Sequence, residues 1–180
     1  YKRQPTGAAD AVVGTFAANV LEPTAVNIVI SYIVSALSNI QYMASTGLQA
    51  VMNFTDSSVK VVSGAVSWVV SSVSGGGNGS VANDATANTA TLTGSSPGVI
   101  STIASYLGLS SNTLSLTVNP PVISGTAAVG SALAEASIKV YDSKGVEVGS
   151  GTSDAAGQFS IALQSVETPP YVLKLTSGEI

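Results

Sequence analysis

The chain has 180 residues, room for one ordinary domain or two small ones, and while 45% of them are hydrophobic only 9% are charged. Six Lys/Arg against ten Asp/Glu leave a net charge of −4, so the clustered cations that displace phosphate counterions are missing and no nucleic-acid partner is expected. His and Cys are absent, which excludes imidazole acid–base catalysis, thiol nucleophiles, disulfides and most zinc or copper sites.

Ser, Thr, Asn and Gly stand where charges usually keep a surface soluble. Such a surface is covered by other copies, by lipid or by glycans, or belongs to a secreted protein that is simply neutral. The chain opens at Tyr1 without a basic, apolar and small-residue leader, as expected of a processed chain or a fragment.

Residues 1–74 are expected to form an apolar, mainly helical assembly region. Val12, Val13, Phe16, Ala17, Val20 and Leu21 recur at helical spacing. Pro23 ends that segment, because the residue before proline avoids the α region. Val26, Ile30, Ile33, Leu37 and Ile40 suggest a second helix to about Met43. Asn27, Ser31, Ser35 and Ser38 form a stripe of small polar groups along it, the kind that lets helices approach closely. Residues 24–44 carry no charge, so a membrane-embedded segment is an alternative. Asn27, Asn39, Gln41 and the lack of a basic flank count against it.

Val59, Val62, Val66, Val69 and Val73 follow a 3-4-3-4 spacing that favours a third helix with an apolar seam. Valine is β-branched, which leaves a strand open. Trp68 lies off that seam, between subunits or in a core. Ile30, Ile33, Leu37, the five seam valines and Trp68 are the candidate assembly residues.

Residues 75–80, Gly-rich, are expected to be a linker. Residues 81–119 are a mixed Ser/Thr/Asn-rich segment. Thr89–Thr93 alternates like a strand, Val99–Leu107 could be a two-turn helix, and residues 113–118 alternate strictly. Pro120-Pro121 then marks a boundary.

Residues 120–180 carry short runs of period-2 alternation closed by Asp and Gly turns. Strands are predicted over Val122–Val129, with Gly125 a candidate bulge, and over Ser137–Asp142 and Val146–Gly149. Phe159, Ile161 and Leu163 should share one face, as should Tyr171, Leu173 and Leu175. Turns are predicted at Ser143–Gly145 and Asp154–Gly157, with Asp154 accepting from backbone amides and Gly157 at positive φ.

The stretches Ile123–Thr126, Ala136–Asp142, Lys144-Gly145 and Thr152–Ile161 resemble the carboxypeptidase regulatory-like domain, a transthyretin-like member of the immunoglobulin-type β-sandwiches. That resemblance covers about a third of the chain and implies a non-catalytic module of secreted or surface proteins. Such domains usually carry further strand beyond the position of Ile180. Either the sheet is smaller and complete, or an open edge accepts a strand from a neighbour.

Candidate chemistry is sparse. No G-x-S-x-G elbow is present and no His can complete a triad. Asp142, Glu147 and Asp154 could meet at a loop end, but without a D-x-D-x-D-G loop they read as solvated turn carboxylates. Asn53 and Asn78 open glycosylation triplets. The expected fold class is α+β, an apolar helical N-terminal region followed by an Ig-like antiparallel β-sandwich. The expected function is a non-catalytic extracellular or cell-surface structural subunit. It needs no cofactor and assembles with other copies of itself, through apolar packing or strand exchange, into a filament or layer. An adhesin-type binding module and a membrane-embedded protein are the alternatives.

Overall fold

In the computed structural model, residues 22–34, 37–164 and 169–177 are described. Fifteen strands connected by turns account for their regular structure, and no helix occurs among them. The α+β expectation is therefore corrected to all-β. The segment proposed as a second helix instead contains β1 (Ala25–Tyr32) and β2 (Asn39–Gln41). The proposed third helix is β4 (Val59–Val61), a turn, and β5 (Ser67–Ser74). Val99–Leu107 is not a helix either, since β8 runs over Gly98–Tyr106. The proposed first helix, Ala8–Leu21, lies outside the described residues.

Period 2 decides these elements once both faces are considered. On β3 (Ser45–Phe54), Thr46, Leu48, Ala50 and Met52 are buried, while the intervening side chains face outward. On β1, Ile28 and Ile30 point in; Val29 points out and is 45% exposed. Valines on both faces erase the alternation that identifies a strand. The seam splits in the same way. Val62 and Val66 are buried in the β4–β5 turn, where the Val66 amide donates to the Val62 carbonyl at 3.2 Å, whereas Val59, Val69 and Val73 are exposed.

The first unit is a sandwich of two sheets. One has the order β1-β3-β7-β6, with β4 also on β3, where β6 is Asn78–Asp84 and β7 Thr89–Ser96. The other has the order β2-β10-β8-β5, with β9 (Leu109–Ser110) on β8 and β10 spanning Leu114–Asn119. The stretch read as a linker is the β5–β6 turn and the start of β6.

Two apolar clusters fill the space between these sheets. One centres on Ile28, Ile30, Met52 and Val66, the other on Leu48, Leu92, Ile100 and Leu116. Trp68 packs against both clusters, and its Nε1 donates to the Ser63 carbonyl at 3.1 Å. Burying its ring body while the N–H finds a carbonyl is the usual arrangement of a core-edge tryptophan.

The second unit begins after Pro120-Pro121. Strand β11 (Val122–Thr126) pairs with β14 (Gln158–Ala162), and β12 (Ser137–Tyr141) lies between β13 (Glu147–Thr152) and β15 (Val172–Thr176). Its core is Ala127, Ala136, Ile138, Val140, Val148, Phe159, Ile161 and Leu163. Tyr171 and Leu173 pack against that core, while Leu175 is 42% exposed. The β11–β14 register runs without a shift through Gly125↔Phe159, so Gly125 is not a bulge; a Cβ there would press on the Phe159 ring at 2.9 Å.

Candidate functional site: turns, outer faces and a junction cleft

Two turns of the second unit share one construction. Asp142 Oδ1 accepts from the amides of Lys144 and Val146 at 2.9 and 2.8 Å, and Asp154 Oδ1 accepts from those of Ala156 and Gln158, both at 2.8 Å. In each, the glycine three residues on, Gly145 (φ 78°) or Gly157 (φ 76°), donates its amide to the aspartate carbonyl. The αL position needs glycine, and the carboxylate pins the loop. Both aspartates are thus spent on backbone, and no group of three or more acidic residues able to hold a metal occurs among the described residues. Glu147 instead accepts from Lys139 Nζ at 2.8 Å across β12–β13. That hydrogen bond and the carboxylate charge raise the Lys139 pKa above the ordinary lysine value.

The outer faces of the first unit carry neutral rows. Across β1, β3 and β4 the register aligns Val29, Val51 and Val61, with Val59 66% exposed beside them. On the other sheet Val69 of β5 lies opposite Ile103 of β8, between the pairs Ser67–Ser105 and Ser71–Ser101. Of the candidate assembly residues, Ile30, Val62 and Val66 are core, Leu37 and Trp68 are half-buried against it, and Val59, Val69, Val73 and Ile33 are exposed. The structure does not bring them onto one face.

Asn53 is half-buried on β3 with its amide donating to Asn27 Oδ1, and Asn78 is exposed at the start of β6 with its Oδ1 holding the Gly79 amide at 2.8 Å.

The free edge of β1 is closed by a side chain. Asn112 Oδ1 accepts the Ile30 amide at 2.8 Å and its Nδ2 donates to the Ile30 carbonyl at 3.1 Å, while Ser111 bridges Ile28. A side-chain amide thereby replaces a strand along this edge. Nothing local in the sequence marks Asn112 for this role, because its partner is 82 residues away.

A cleft of about 510 Å³ opens where the two units meet. The first unit contributes Tyr42, the β5–β6 turn at Gly75-Gly76, and Ser95–Gly98 at the β7–β8 turn; Pro120 and Ala162–Gln164 form the opposite wall. The Tyr42 amide donates to the Asn119 carbonyl at 2.9 Å, and the Gln164 amide to the Val148 carbonyl at 2.7 Å, so both residues are anchored through backbone. Gly98 has φ 132°, and a Cβ there would collide with the backbone of Gly77 and Ser74. Only glycine lets the two turns close the cleft floor.

Residues 112–178 match the family described as a bacterial Ig domain. The second unit is an Ig-type β-sandwich. The match supports that coarser class and not the carboxypeptidase regulatory-like family in particular. It also takes in β10, which is hydrogen-bonded into the first unit.

Among solved structures, the Yersinia pseudotuberculosis adhesin InvE is similar at 14% identity and TM-score 0.36, over 86% of this chain and 58% of that one. The D00-D0 domain of intimin is similar at 17% identity and TM-score 0.29, over 85% of this chain and 93% of that one. The chain thus spans little more than half the length of the InvE structure. No curated protein matches the sequence.

Proposed function

We propose that this chain is a non-catalytic contact module of a bacterial surface protein, working outside the cell in the manner of an adhesin. The observation that carries this reading is the bacterial Ig domain match over residues 112–178. It is supported by the first sandwich, which precedes that unit in the chain, by the commitment of Asp142 and Asp154 to turn backbone, and by the absence of His and Cys from the chain. Recognition then relies on shape and neutral polar groups rather than on charge. The reading is tested by displaying the chain on non-adherent bacterial cells and counting their attachment to cultured host cells and to matrix-coated surfaces. Attachment above that of cells displaying a scrambled chain is expected; equal attachment on every surface overturns it.

A second reading, self-association into a filament or layer, is favoured by the outward rows Val29–Val51–Val61 and Val69–Ile103 on nearly uncharged sheets. Apolar rows rimmed by hydroxyls suit a contact between copies. Sedimentation velocity over a wide concentration range should then show growing species that disappear in V69D/I103D. A sharp monomer boundary at every concentration removes this reading.

A further inference from the structure

We propose that the junction cleft is a binding site for a neutral carbohydrate. This deepens the contact-module reading and rests on it. Its volume of about 510 Å³ lies within the range of small-ligand sites. Ser95, Ser96, Tyr42 and Gln164, which carry three hydroxyls and a side-chain amide, are among the residues that line it. None of these groups has a hydrogen-bond partner in the protein among the described residues, whereas Asn112, Ser63, Ser111 and Ser153 each hold backbone elsewhere. Uncommitted donors and acceptors in the lining are what a polyol needs, since each sugar hydroxyl both gives and accepts.

No Asp, Glu, Lys or Arg lines the cleft among the described residues, so it offers nothing to balance an ionic ligand and no unpaired charge for a neutral one to bury. Tyr42, half-buried and packed in part against the first unit's core, adds an aromatic ring to the lining, and aromatic rings suit the C–H face of a pyranose. Pro97 and Pro120 fix the wall backbone, so little ordering entropy opposes binding. The walls are the turn at Gly75-Gly76, the ends of β7 and β8 around Pro97, and the end of β14 with the residues after it, so only strand ends reach the cleft. An extended peptide would find no ladder to extend there.

The test titrates the isotope-labelled full chain with three free trisaccharides, maltotriose, cellotriose and triacetylchitotriose, followed by amide chemical shifts. At least one should give saturable shifts at Tyr42, Ser95, Ser96, Gly98 and Gln164, in the weak affinity range expected of a short sugar. Tyr42→Ala and, separately, Gln164→Ala should each weaken that binding roughly tenfold, the loss of one stacking or hydrogen-bonding group. Gln164 is exposed, so its variant should melt like the parent and separates ligand loss from unfolding. The proposal is overturned if no cleft amide shifts with any of the three sugars near their solubility limit, or if shifts persist unchanged in both variants. Free-sugar binding needs no cell surface. Cleft shifts without attachment of displaying cells therefore support the site and overturn only the adhesin reading, while attachment without cleft shifts overturns only the site.

Discussion

The two sandwiches share one way of holding irregular backbone, a turn aspartate that accepts nearby amides (Asp56 and Asp84 in the first, Asp142 and Asp154 in the second), and differ in a further one. In the first, neutral side chains reach far along the sequence. Asn112 closes the β1 edge at Ile30 from 82 residues away, Asn88 spans Gly64 and Val61 from 24 and 27 residues, and Ser63 takes the Ala50 amide from 13. In the second, Asp142 and Asp154 pin their own turns within four residues. Ser153 repeats the first unit's long-range pattern, accepting from Ala136 and donating to Leu133 across 17 and 20 residues. Local turn pinning by aspartate is thus common to both units, and what distinguishes the first is its added set of neutral side-chain contacts that exist only once it has folded.

The largest expected effect is at the point where the units' turns converge. Gly98→Val forces a side chain into the backbone of Gly77 and Ser74 at a φ that valine does not adopt, and should cost about 3 kcal/mol or more of the first unit's stability. Next come the cores: Leu92→Ala and Ile138→Ala, both fully buried, should each cost about 3 kcal/mol. If the units are independent, urea unfolding shows each variant lowering a different transition. One shared transition breaks the comparison by showing that the junction couples them.

Local turn pinning is sharpened by Asp142→Ala, which removes a buried acceptor of two amides and should cost about 2 kcal/mol. Asp154→Ala, with the same geometry in an exposed turn, should cost about half of that. Asn112→Ala should cost about 1 kcal/mol and make the chain associate more readily, because it reopens the β1 edge. Thr102 has a hydroxyl buried in the core without a partner. Thr102→Val should raise stability by about 1 kcal/mol, read as a higher urea midpoint at unchanged slope.

The smallest effect belongs to the exposed pair Lys139–Glu147. Lys139→Met should leave melting unchanged at neutral pH. Because the folded-state pKa of Lys139 is raised, whatever the pair contributes is present below the ordinary lysine pKa and is lost as pH rises through the raised value.

These contrasts also explain what could be read in advance. The strands of the second unit and both Asp–Gly turns were legible because Ile138 and Val140, or Phe159 and Ile161, alternate with polar neighbours between residues that enforce a turn. In the first unit the strands at 89–93 and 113–118 were legible, as β7 and β10 show, but β1 and β5 misled because Val26, Val29, Val69 and Val73 lie exposed on strands whose other face is also apolar. Adding outward valines to inward ones yields a 3–4 spacing by coincidence, and the high density of β-branched residues was the signal that should have outweighed it. The cleft was not legible at all, because Tyr42, Ser95 and Gln164 converge only through three separate turns.

By itself the sequence determined the chemistry that is absent, the neutral character of the surface and the turn-by-turn course of the Ig-type unit, since composition and short-range backbone preference act locally. Tertiary structure decided that the N-terminal half is a sandwich, which valines face water, that Asn112 closes an edge, and that a neutral cleft forms at the junction. Those outcomes depend on strand pairing between distant segments, where burial on one face and hydrogen bonding along the edge are settled only by the partner each strand finds.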